Sequence, residues 1–73
     1  MKAEYRVFRG QIFDEEKNIH MSYGIELWKN GELARRISDV SVDSEGLHEL
    51  VRLCNELELD PVHLDDVVED FVG

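Results

Sequence analysis

From Ile19 to Lys29 apolar and polar side chains alternate: Ile19, Met21, Tyr23, Ile25 and Leu27 interleave with His20, Ser22, Gly24, Glu26 and Trp28. A period of two predicts a strand with one face turned inward. Asn30-Gly31 follows, the pair that best supplies the two left-handed conformations of a type I′ hairpin turn. The chain then returns as an antiparallel partner. With a two-residue turn, Lys29 faces Glu32, Trp28 faces Leu33, Leu27 faces Ala34 and Glu26 faces Arg35. Two opposite-charge pairs and one large apolar pair fall together, each contributing about 0.2 to 1 kcal/mol. Glu4 to Phe13 reads as a further strand, joined to the next through the polar loop Asp14 to Asn18. The expectation is a three-stranded antiparallel meander.

Near Asp39 the period changes from two to about 3.6. Ser41 to Asp60 contains a first helix, with Asp43 or Ser44 as N-cap. Leu47, Leu50, Val51, Leu53, Cys54 and Leu57 occupy one arc, and His48, Glu49, Arg52, Asn55 and Glu56 the other side. Pro61 is expected to end this helix, because the residue before a proline is pushed out of helical space, and Asp60-Pro61 then opens a second. That helix, Pro61 to about Val72, turns Leu64, Val67, Val68 and Phe71 inward and Asp66, Glu69 and Asp70 outward, flanked by His63 and Asp65. The fold class is α+β in the order β-β-β-α-α, with both helices on one sheet face. Nothing reads as a repeat or linker, so residues 1–73 form a single domain.

Both sheet faces are expected to be partly apolar. Met21, Tyr23, Ile25 and Leu27 mark one; Trp28, Leu33 and Ile37 are expected together on the other. The helices cover one face, which makes Trp28, Leu33 and Ile37 a candidate surface for homodimerisation. Trp28 capping the edge of the core is the alternative.

Charge sharpens this picture, because the net −9 is divided unevenly. Met1 to Ser38 holds six acids and seven bases, whereas Asp39 to Gly73 holds eleven acids and one base, Arg52. Such a surface repels nucleic acid and anionic lipid and favours a basic partner or a cation. The charged start, Met1 to Arg6, is followed by no apolar run of signal or membrane-span length, so a cytoplasmic protein is expected. Cys54 is the single cysteine. It excludes an internal disulfide, fits a reducing compartment, and at an apolar helical position reads as an inert thiol.

One local rule is broken. Asp65 with Glu69, and Asp66 with Asp70, are like charges four apart on a helix, each pair costing about 0.2 to 0.5 kcal/mol. Glu69 and Asp70 also occupy the last turn, where the helix dipole makes each acid unfavourable by a further ~0.3 to 1 kcal/mol. A chain this size has only about 4 to 11 kcal/mol of stability. Three explanations compete: solvent and salt screen the acids; Arg35 and Arg36, or Arg6 and Arg9, reach over and pair with them; or the face Asp66, Glu69, Asp70, with His63, awaits a basic protein or a divalent cation.

Catalytic motifs are missing. Gly10, Gly24, Gly31, Gly46 and Gly73 are scattered singly, so there is no phosphate loop. His20, His48 and His63 form no HxxxH pair and match no calcium loop. Asp65 and Asp66 point about 100° apart on a helix and cannot share one substrate. No enzyme and no cofactor are expected. The expected function is an acidic interaction module, homodimeric and binding an unidentified basic protein, with no nucleic acid or membrane partner; the alternative is a divalent-cation-binding regulator.

Tyr23-Gly24-Ile25, Asp39-Val40-Ser41-Val42-Asp43, Leu50-Val51 with Asn55, and the ending Leu59-Asp60-Pro61-Val62-His63-Leu64-Asp65-Asp66-Val67-Val68-Glu69-Asp70-Phe71 resemble an uncharacterised family of short proteins from low-GC Gram-positive bacteria, a domain of unknown function. The resemblance covers about residues 19 to 72. It implies a bacterial cytosolic protein, adds no catalytic residue, and makes the acidic helix and His63 part of a family pattern.

Overall fold

The computed structural model describes residues 2–73. Three antiparallel strands, β1 (Ala3–Phe13), β2 (Ile19–Lys29) and β3 (Glu32–Ser41), form one sheet in the order β1-β2-β3. Two helices follow, α1 (Ser44–Glu56) and α2 (Leu64–Val72), the second entered through a 3-10 turn, Pro61–His63. The architecture is the α+β meander expected from the two periods. Asn30 (φ 52°) and Gly31 (φ 82°) are both left-handed, as a type I′ turn requires. The opposite turn is organised by Asp14, whose Oδ1 accepts from the N–H groups of Glu16 and Asn18, both at 2.9 Å.

The β2–β3 register follows expectation for two pairs and then departs from it. Lys29 faces Glu32 and Trp28 faces Leu33, but Leu27 faces Arg35 and Glu26 faces Arg36. Ala34 is an extra residue, a bulge that bends the strand. Since a one-residue slip moves every later side chain to the other face, Ile37 lands opposite Ile25 and packs against the core. It does not share a face with Trp28 and Leu33. A second irregularity, between the Tyr23 and Ile25 pairings, contains Asp39 at φ 55°.

The helices cover the face carrying Tyr5, Ile25 and Leu27, and these three bury together with Val40, Leu47, Val51, Cys54 and Leu64. Asp43 caps α1 by accepting from the Gly46 N–H at 3.2 Å, and Asp60 caps the 3-10 turn through the Val62 N–H at 3.1 Å. Pro61 does not end α1. The helix stops at Glu56, where Glu58 turns left-handed (φ 50°). The Glu58 and Leu59 N–H groups then bond back to the Asn55 and Cys54 carbonyls, the Schellman pattern. Leu57 is consequently 76% exposed, and Leu53 also faces out at 40%, so the buried arc of α1 is narrower than its apolar residues suggested.

The molecule measures 43 × 25 × 18 Å, while a 13-residue helix is only about 20 Å long. The strands therefore overhang the helices, leaving Phe13 and Ile19 exposed on the inner face.

Candidate functional site

The acidic surface is built on α2. Leu64 is fully buried, and Val67, Val68 and Phe71 pack against the core. Helical periodicity then forces Asp66, Glu69 and Asp70 outward, where all three are exposed and, with Gly73, line a shallow surface concavity. One arginine from the sheet does reach this helix. Arg35 donates Nη2 to Asp65 Oδ1 at 2.8 Å and Nη1 to Asp65 Oδ2 at 3.2 Å. This fork holds the Asp65 carboxyl below its usual range and pushes the guanidinium up. The extra residue Ala34 makes the contact possible, because it turns Arg35 toward the helices and hands Glu26 to Arg36.

Asp66, Glu69 and Asp70 receive no such partner. Among the described residues no base lies within ion-pair distance of them, and the last turn of α2 contains no base. Three further arginines are engaged elsewhere, Arg6 with Glu4, Arg36 with Glu26, and Arg52 with Glu49 and Glu56, and Arg9 pairs with none of the described acids. His63 is exposed, precedes Leu64, and its side chain caps nothing. It stands at the opposite end of α2 from Glu69 and Asp70, about 10 Å along the axis. Among the described residues, no three His, Cys, Asp or Glu side chains are grouped so as to hold a metal ion.

The outer sheet face is more polar than its sequence suggested. Glu26 is almost buried; its Oε2 accepts from Arg36 Nη2 at 2.5 Å and its Oε1 from Trp28 Nε1 at 3.1 Å. These bonds, the arginine's first, hold the carboxyl below its usual range. The Arg6 guanidinium lies 4.6 Å from the Trp28 ring centroid and that of Arg36 lies 4.7 Å from the Phe8 ring, both within cation–π range. Phe8 faces Gly24 across the strands and leans over it. Leu33 remains 45% exposed beside the half-buried Trp28.

Asn55 was expected on the solvated side of α1, yet its amide grips the outer edge of β1. Its Oδ1 accepts from the Tyr5 N–H at 2.8 Å and its Nδ2 donates to the Tyr5 carbonyl at 2.9 Å. Tyr5 adds a hydroxyl bond to the Leu59 carbonyl at 2.6 Å. A contact across 50 residues leaves no local trace, and a lone amide among charged neighbours was the only available signal. Cys54 is buried, and burial pushes its thiol up, away from nucleophilic character.

Fold and surface together define a small acidic α+β domain whose outward carboxylates on α2 have no ion-pair partner among the described residues. The chain belongs to a family of unknown function, DUF6514, whose model matches residues 1–73. The match takes in β1 as well as the segments that carried the sequence resemblance. No curated protein and no solved structure matches the chain. Among the described residues, no helix is long and apolar enough to cross a membrane.

Proposed function

We propose that this domain is a non-catalytic interaction module that presents Asp66, Glu69 and Asp70 to a basic protein in the cytoplasm of a low-GC Gram-positive bacterium. One observation carries the reading: Asp65 is neutralised by Arg35 while the three carboxylates beside it have no cation in reach among the described residues. They repel one another, and Glu69 and Asp70, in the last turn, also oppose the helix dipole; an external base would relieve both costs. The single cysteine, buried and reduced, suits the cytoplasm.

The test is capture of partners from bacterial lysate on the immobilised wild-type protein and on an Asp66→Asn, Glu69→Gln, Asp70→Asn variant. A basic protein held by the wild type, released by salt and lost from the variant supports the reading. Retention of the same proteins by the variant would sink it. The variant should also melt higher than the wild type at low ionic strength, with the two converging in concentrated salt.

A further inference from the structure

The outer edge of β1 divides into two parts. At Tyr5 its outward N–H and C=O are taken by Asn55. From Val7 to Phe13 the outward groups, those of Val7, Arg9, Gln11 and Phe13, have no partner among the described residues. Sheet edges are normally blunted by bulges, prolines, lysines or a covering element. The outer edge of β3 is treated in this way, with two irregularities, a left-handed Asp39 and α2 packed against it. The open part of β1 has no irregularity, no proline and no lysine, and its one charge is Arg9.

The midpoint of this open stretch is Gly10. A glycine inside a strand costs about 0.5 to 1 kcal/mol relative to alanine and often marks a close approach by another backbone. Among the described residues nothing demands it. A Cβ on Gly10 would meet only the Phe8 ring at 3.6 Å and the Ser22 carbonyl at 4.0 Å, both ordinary contacts. Gly24, by contrast, is required internally, since a Cβ there would lie 2.2 Å from the Ile37 carbonyl oxygen.

We propose that Val7–Phe13 pairs with the same segment of a second copy, antiparallel about a two-fold axis at Gly10, joining two three-stranded sheets into one of six. In this register Val7 faces Phe13 of the second copy, Phe8 faces Ile12, Arg9 faces Gln11, and Gly10 faces itself. Apolar side chains meet apolar ones on both faces, and no like charges stand directly opposite. At each end Arg6 falls opposite Asp14, an opposite-charge pair. Every outward N–H and C=O of the open stretch is then used, since each outward pair exchanges two bonds. Moving the axis to Arg9 sets that residue against itself and Phe13 against Tyr5, whose edge Asn55 already occupies. Moving it to Gln11 drives Val7 against the turn residue Glu15. The register at Gly10 alone exploits the whole opening. This surface is separate from the acidic helix, so the two readings fail independently. One strand pair buries a small interface, which places the dimer in the weak, transient class.

The experiment is sedimentation velocity of the full chain from micromolar to half-millimolar concentration, with crosslinking. The wild type should move from monomer to dimer over that range. Arg9→Pro removes an outward N–H that β2 does not use; it should keep native circular dichroism and Trp28 emission and weaken the dimer at least about a hundredfold. Gly10→Cys should form a disulfide-linked dimer under mild copper–phenanthroline oxidation, because facing Cα atoms at such a position lie about 4.5 Å apart. Ile12→Cys, on the same strand and face, should not. A wild type that stays monomeric, a folded Arg9→Pro variant that dimerises as before, or Ile12→Cys crosslinking as fast as Gly10→Cys would each overturn the proposal. Should Arg9→Pro fail to fold, the cysteine pair decides.

Discussion

Replacing Asn55 by alanine removes two bonds to the backbone of Tyr5, at 2.8 and 2.9 Å. Tyr5 is only 2% exposed, so its N–H and C=O are poorly placed to recover both partners from water. A net backbone hydrogen bond is worth about 1 kcal/mol, and a buried group left unpaired costs about 1 to 3 kcal/mol. Asn55 itself is exposed and an open groove runs beside it, which lets water compensate in part. The expected loss is therefore near the lower end, about 2 kcal/mol. For a domain of this size that corresponds to a fall of about 8 to 16 °C in Tm. Urea denaturation followed by the emission of Trp28 gives the free energy directly. Arg52→Ala, one turn earlier on the exposed side of α1, is the control and should cost less than about 1 kcal/mol. Asn55→Asp adds a diagnostic. At neutral pH it sets a carboxylate against the Tyr5 carbonyl and should be no better than alanine. That repulsion raises the folded pKa of the introduced carboxyl, so its protonated form is favoured in the native state. The variant should therefore recover relative to Asn55→Ala as pH falls through that raised value. A loss below about 0.5 kcal/mol for Asn55→Ala would refute the view that the amide closes the β1 edge.

Gly24→Ala should destabilise by about 2 to 3 kcal/mol or abolish folding, because the added methyl meets the Ile37 carbonyl at 2.2 Å and the Phe8 ring at 2.6 Å; an unchanged Tm would show that the outer face is looser than described. Glu26 has its folded carboxyl held below the ordinary value of 4.5 by Arg36 and then Trp28. Its contribution is thus complete above that value and disappears as pH falls through the lower folded one. The free-energy difference between wild type and Glu26→Gln should shrink between neutral pH and strongly acidic solution, and a difference independent of pH would exclude the ion pair as a source of stability.

Much of this protein is legible locally. The alternation in β2, the Asn30-Gly31 turn, the Asp43 cap and the 3.6 period of α2 each act over a few residues, through backbone geometry that neighbours in sequence impose. The outward position of Asp66, Glu69 and Asp70 follows from the same periodicity. The tertiary structure alone decided the rest. Whether β3 inserts Ala34 as a bulge depends on where α2 comes to lie, since that choice exchanges Glu26–Arg35 for Glu26–Arg36 and frees Arg35 for Asp65. It also moves Ile37 from the outer face to the core. The Asn55 clasp and the uncovered edge beyond it likewise depend on how far a short helix extends along longer strands. Periodicity records which way a side chain points along its own element; it carries no information about how far the opposing layer reaches.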